Sequence, residues 1–298
     1  MGEQISAGVR LVSSRPRPAR ASRAFNAARG ALALVAGQAH AQQAQMSAAD
    51  IAKLVQNPLS DAIMVPFANE TNFRLGPYRQ AGNVLNIQPV VPVHINDDWN
   101  LITRTTIPLV RQVRMSDEVG PRGGMGDIVP ILALSPSHAG SIIWGVGPTF
   151  ILPTATHRDL GTRKWSGGPA LIALVMPEPW VFGVLISQYW SFAGSRDAMR
   201  VSRLSAQYFA TYNLPDGWYL SSSPIISADW TAKRSERWIV PFGLDVGRVF
   251  EIGAQPMSAS IGAYYNDGVD APDGICVPKW RCYRPLEEAS AMEVSTIG

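Results

Sequence analysis

Tight and large connections alternate along this chain, and that alternation constrains its fold more than any single motif. From Asp61 onward, strand-length segments at about 62–73, 82–95, 99–110, 127–135, 142–152, 167–176, 180–192, 201–213, 217–230, 237–249 and 256–266 are separated by Gly, Pro, Asn and Asp, with almost no helical period. The connections 96–98 (NDD), 136–140 (PSHAG), 177–179 (PEP), 215–217 (PDG) and 251–255 (EIGAQ) are short. Those at 73–80 (FRLGPYRQ), 111–126 (RQVRMSDEVGPRGGMG), 153–166 (PTATHRDLGTRKWS), 193–200 (AGSRDAMR) and 231–237 (TAKRSER) are longer or more charged. Tight turns at one end and larger loops at the other predict an all-β, antiparallel up-and-down barrel of the outer-membrane type. A soluble β-sandwich gives no reason for so regular an alternation.

Parity within the segments agrees. Leu85, Ile87, Pro89, Val91, Val93 and Ile95 fall on one side of an extended strand, and Asn86, Gln88 and His94 on the other. Trp99, Leu101, Ile107 and Leu109 oppose Asn100, Arg104 and Thr106; Leu204, Ala206, Tyr208, Ala210 and Tyr212 oppose Arg203, Ser205, Gln207 and Thr211. Asp127–Ser135 breaks the rule by being apolar on both parities.

The tryptophans mark strand ends. Trp180 and Trp190 stand ten residues apart and Trp218 and Trp230 twelve apart. At a rise of roughly 3.3 Å and a tilt of about 45°, those spacings project to roughly 23–28 Å, close to the apolar band between the two aromatic girdles of such barrels. Trp99, Trp144 and Trp238 open strands. These seven are the expected girdle. Within 217–230, Leu220, Pro224, Ile226 and Ala228 are expected to face lipid and Tyr219, Ser221, Ser223, Ser227 and Asp229 the interior, with Ser222 and Ile225 breaking the alternation and a bulge where Pro224 deletes a ladder bond.

Composition excludes other classes. No apolar run approaches the roughly 18 residues of a membrane helix. The net charge of +3 is set by Arg10, Arg15, Arg17, Arg20, Arg23 and Arg29, against Glu3; without the first 41 residues, 20 basic and 22 acidic side chains leave −2, so no nucleic-acid partner is expected. That segment, 1–41, reads as a signal peptide with an over-long basic start: an Arg-rich region, the apolar ALALVAGQA (31–39), then Ala39-His40-Ala41 before Gln42. A periplasmic leader, 42–61, contains SAADIAKLVQ (47–56), a short helix with Ser47 as N-cap and Asp50 completing a capping box. Such a helix either plugs the mouth of the barrel, spanning 62–266, or is a plain leader.

Several stretches carry a family likeness: VLNIQPVVPVHINDDWNLITRTTIPLV (84–110), GDIVPILALSP (126–136), IIWGVGPTFILPTAT (142–156), LGTRKWSGGPA (160–170), PWVFGVLISQYWSFAG (179–194) and YNLPDGWYLSSSPIISADW (212–230). In order, over roughly Asn57–Asn266, they resemble the bacterial family called "MetA-pathway of phenol degradation", whose members are often labelled transporters and sometimes mislabelled neuromedin U. The resemblance implies a Gram-negative outer-membrane barrel of about 12 strands, embedded in lipid, delivered by the barrel-assembly machinery and moving small molecules. It brings no catalytic residues.

The family's last strand is not legible here. The tail 267–298, DGVDAPDGICVPKWRCYRPLEEASAMEVSTIG, alternates poorly and holds both cysteines, Cys276 and Cys282. Reading each codon's third base with the next codon's first two lets Asp273–Arg284 encode WDLRSQVALLS, which alternates as a barrel strand does. The tail is therefore expected to be out of frame, leaving eleven strands and two edges whose unpaired backbone groups would each cost several kcal/mol in lipid, unless the tail pairs irregularly with the first strand.

No catalytic, metal or cofactor site is expected, and no enzyme. His40, His94, His138 and His157 are scattered, and GPRGGMGD (120–127) lacks the lysine and helix of a phosphate loop. The residues expected to line the lumen are Asn86, Gln88, Arg104, Arg203, Gln207 and Asp245, either setting the selectivity of a channel for small aromatic or hydrophobic molecules or merely filling a non-conducting barrel. A secreted soluble β-sandwich is the remaining alternative.

Overall fold

The computed structural model describes residues 47–75, 78–114, 120–253, 255–267 and 274–285. The expected signal segment 1–41 and the end of the tail lie outside them.

The chain begins with helix α1 (Ala48–Gln56). Ser47 Oγ accepts the backbone N–H of Asp50 at 3.1 Å and donates to its carboxylate at 2.6 Å, which satisfies an amide that the first turn leaves without a partner. Pro58 ends the helix, and Asn57 accepts the amide of Leu59 at 2.9 Å. Ile51, Ala52 and Val55 form one buried face.

Fifteen strand segments follow: β1 (Ala62–Leu75), β2 (Gln80–Ile87), β3 (Val90–His94), β4 (Trp99–Gln112), β5 (Arg122–Met125), β6 (Val129–Pro136), β7 (Ile143–Ile151), β8 (Lys164–Val175), β9 (Trp180–Gly194), β10 (Ser202–Asn213), β11 (Trp218–Ser222), β12 (Ile225–Asp229), β13 (Trp238–Ile252), β14 (Gln255–Asp267) and β15 (Gly274–Pro285). All belong to one antiparallel sheet. β2 and β3 succeed one another between β1 and β4, β5 and β6 lie consecutively along β4, and β11 and β12 succeed one another between β10 and β13, so the fifteen segments fill twelve positions. Each position pairs with its sequence neighbours, and β15 pairs with both β14 and β1, returning the ladder to its start. One continuous sheet without a second layer excludes the β-sandwich.

Three expectations are corrected. The tail does not leave the sheet open: Trp280 lies opposite Ala259 on β14 and Phe67 on β1, and the backbone of β15 fills the twelfth position. The segments 82–95 and 217–230 are not continuous strands, because Pro89 and Pro224 lack the amide a ladder requires. The connection 111–126 contains β5, whose RGGM sequence reads as loop but whose backbone pairs with β4 from Leu109 to Gln112.

The sheet is inside-out by the standards of a soluble protein. Leu109, Leu134, Val146, Leu171, Val184, Phe242, Leu244 and Ile261 are exposed, while Thr149, Ser166, Asp245 and Ser258 are buried on the opposite parity. Apolar residues outward and polar residues inward is the arrangement of a barrel solvated by lipid.

Candidate functional site: the lumen and its wall

The short-turn end of the lumen is filled from α1. Ile51, Val55 and Leu59 join a buried cluster with the inward side chains Ile102 of β4, Ala133 of β6, Ile172 and Leu174 of β8, Val181 of β9 and Val249 of β13. Two polar latches flank it. Lys53 forms an ion pair with Glu178 in the turn between β8 and β9. Gln56 donates to Asn213 at 2.7 Å, and Asn213 donates back at 3.2 Å. Of the two alternatives for this helix, the plug is the one the structure adopts.

The Glu178 hydrogen bond, and then its charge, raise the Lys53 ammonium above its ordinary value of 10.5. A cation so raised contributes fully below its unfolded value and loses that contribution as pH climbs through the folded one. Conductance of the reconstituted barrel should therefore rise above about pH 10.5, and Glu178→Gln should abolish that step, its latch being weak already at neutral pH. An unchanged alkaline profile in Glu178→Gln would show that the pair does not hold the helix.

Above the plug lies a cavity of about 320 Å³. Met64, Val90, Ile172, Leu185 and Phe209 give it an apolar side; Glu70, Gln88, Arg104, Gln207, Asp245 and Tyr264 give it a polar one. Arg104 donates to Gln88 at 3.2 Å, and Gln207 to the carbonyl of Ser223 at 3.1 Å. Tyr264 donates to the buried Asp245 carboxylate and accepts the amide of Ser223 at 3.1 Å. Tyr219 and Ser258 share a hydrogen bond of 2.9 Å, as do Thr211 and Ser221.

Four of the six residues expected in the lumen, Gln88, Arg104, Gln207 and Asp245, surround this cavity. Asn86 shares their parity, opposite Ala68 and Pro108, but lies beyond it. Arg203 is exposed, opposite Tyr189 and Asp229, at the large-loop mouth. Sequence reasoning missed Tyr264, because an aromatic in a barrel strand suggests lipid; its alternation with Ile261, Ala263 and Tyr265 was the available signal.

The cavity reaches a defect in the wall. β11 pairs with β13 from Trp218↔Arg248 to Ser221↔Asp245, and β12 resumes at Ser227↔Ile239. Among the described residues no ladder pair joins 222–226 to 240–244; only the Ser222 hydroxyl crosses, donating to the Gly243 carbonyl at 2.8 Å. Pro224, Ile225, Ile239 and Pro241 rim the opening. Pro224 thus lines the cavity instead of facing lipid, and Ile225, in register with the inward Gln207, is 46% exposed. Two prolines in facing segments remove the amides that would have closed it.

Outside, the seven expected girdle tryptophans lie at strand ends. At the short-turn end Trp99 and Trp144 meet edge to face at 6.1 Å, Trp180 stacks on Phe182 at 5.2 Å, and Trp218 lies under Arg248 at 5.5 Å. At the other end are Trp190, Trp230 and Trp238, joined by Trp165, which sequence reasoning passed over. On that side, Asp127 accepts the amides of Ala155 (3.2 Å) and Thr162 (2.6 Å) and the Thr162 hydroxyl (2.7 Å), folding the β7–β8 connection onto β5 and β6. Among the described residues no group of His, Cys, Asp and Glu could hold a metal ion.

No protein-family model matches the sequence, nor does any curated protein. Solved structures do match. The COG4313 outer membrane channel from Pseudomonas putida F1 is 14% identical, with 75% of this chain and 95% of that one covered and a TM-score of 0.56. The fold is that of an outer-membrane β-barrel. Weaker similarities include outer membrane phospholipase A from Escherichia coli (11% identity, 76% and 96% covered, TM-score 0.38) and the β domain of the Bordetella autotransporter BrkA (12%, 74% and 99%, TM-score 0.41). The phospholipase corrects one expectation: an enzyme stands among the barrels similar to this one, so the exclusion of catalysis drawn from the sequence is withdrawn.

Proposed function

We propose that the chain is an outer-membrane channel of a Gram-negative bacterium, passing small, largely apolar or aromatic molecules passively through its lumen. The observation that carries this reading is the cavity: apolar on one side, hydrogen-bonding on the other, and continuous with a proline-rimmed gap in the wall. A solute with an apolar body and one polar end fits both sides at once. The resemblance of the sequence to the MetA-pathway of phenol degradation family points the same way, as does the fold shared with the Pseudomonas putida channel. The second reading, a filled barrel with a structural role, is favoured by the seal that α1 makes.

Planar bilayers discriminate. For a channel, Arg104→Ala should shift the reversal potential toward cations, changing the selectivity ratio about fivefold if the lost charge interaction is worth about 1 kcal/mol in a wet lumen. Absence of both ion and aromatic-solute flux, even after α1 is displaced, would establish the filled barrel instead.

A further inference from the structure

We propose that the large-loop end of β10–β13 carries a site for the phosphate groups of an acylated lipid of the outer leaflet, built on Arg237 and Trp230. The proposal rests on the outer-membrane reading and adds a partner to it. The Arg237 guanidinium lies over the Trp230 ring, 5.5 Å from its centre. Trp230 is itself fixed: it packs edge-on against Trp238 at 5.7 Å, and its indole N–H donates to Gln188 at 3.0 Å. Both rings are exposed on the outer surface of the wall. Girdle aromatics sit where acyl chains give way to headgroups, so the ring holds a cation at headgroup depth. Among the described residues Arg237 forms no ion pair, and its Nε has no hydrogen-bond partner.

More cations converge there. The Trp230 amide donates to the Ser202 carbonyl at 2.8 Å and the Asp229 amide to that of Arg237 at 2.9 Å, bringing the β9–β10 and β12–β13 connections side by side. They carry the exposed Arg200, Lys233 and Arg234. Nearby acids are mostly engaged: Asp197 with the Ser195 hydroxyl (2.7 Å) and Arg163 (2.9 Å), Asp229 with the Thr231 hydroxyl (2.6 Å); Glu236 is the exposed exception. The short-turn end, in contrast, displays Asp97, Asp98, Glu178 and Asp216, and the Arg248 stacked on Trp218 there is engaged, its Nε donating to the Asp216 carbonyl at 3.3 Å.

Guanidinium is the group suited to bidentate phosphate recognition. A lipid phosphate is favoured over a soluble one because Met199 (88% exposed), next to Arg200, and Phe192 (67%), near the same end of β9, leave apolar surface that acyl chains would cover.

The test titrates the full chain, in detergent micelles, with bisphosphorylated lipid A, its dephosphorylated form and inorganic phosphate, reading bound lipid by native mass spectrometry. Heat-modifiable electrophoretic mobility checks that each variant is folded. Arg237→Gln should weaken lipid A binding about tenfold; Arg237→Lys should restore part of it; Arg248→Gln, at the opposite girdle, should leave lipid A binding unchanged. Inorganic phosphate should not compete. Undiminished binding by folded Arg237→Gln, equal binding of dephosphorylated lipid, or competition by inorganic phosphate at equal concentration each overturns the site. A native chain that inserts into vesicles yet retains no lipid A overturns this inference alone, whereas failure to insert overturns the outer-membrane reading with it.

Discussion

Replacing Val55 by aspartate should convert a sealed barrel into an open one. Val55 is 2% exposed and is packed with Ile51 and Leu59 into the apolar end of the lumen. Burying these three side chains contributes roughly 4.5–9 kcal/mol before the cost of ordering the segment, at about 1.5–3 kcal/mol each. A carboxylate at position 55 would lose one of those terms and place a charge among Ile172, Val181 and Val249, which costs several kcal/mol more. Nine residues are too few for a stable helix in water, so α1 would melt once undocked rather than settle in a second position. The barrel's own ladder does not run through α1 and should survive. Single-channel recordings should show conductance rising at least about tenfold, since an opposing penalty of only ~1.4 kcal/mol already shifts a docking equilibrium by that factor. Val55→Ala removes volume without adding charge and should leave the seal in place. If Val55→Asp folds and its conductance stays at the native level, α1 is not what closes the lumen.

The parts of this structure that were legible in the sequence are those fixed by periodicity. Connection lengths revealed the barrel, and parity put Gln88, Arg104, Gln207 and Asp245 around one cavity. The capping box announced α1, but an amphipathic helix records that one face is buried and not what buries it. Gly123 and Gly124 hid β5, because pairing along an existing strand needs backbone and not side chains. The wall gap was half visible: Pro224 signalled a fault in its own strand, but Pro241 faces it only through register, which depends on residues far apart in sequence.

The twelfth strand is where sequence and structure disagree most, and it yields the second large prediction. Backbone register places positions 276, 280 and 282 opposite Ala263, Ala259 and Met257, on the parity that β14 turns outward with Ile261 and Tyr265, whereas 277 and 279 oppose Gly262 and Ser260 on the lumen parity. The chain as written puts two cysteines and Pro278 on the outward positions. The alternative frame WDLRSQVALLS, laid over 274–284, puts Trp, Leu, Val and Leu on 274, 276, 280 and 282, and Asp, Arg and Gln on 275, 277 and 279. In that placement the four apolar residues take outward positions and the three polar ones lumen positions, with Ser on the outward position 278 as the exception. Exchanging 274–284 for that sequence should raise the yield of folded, heat-modifiable barrel in vesicles severalfold, because Pro278 lacks the amide that a mid-strand ladder position requires and the exchanged strand restores it. Ending the chain at Asp267 should do the reverse and abolish folding, since β14 and β1 would then each present an unpaired edge to lipid. Equal yields from the native and exchanged chains would refute the frame shift, and a folded barrel from the truncated one would mean that β15 is not what closes the sheet.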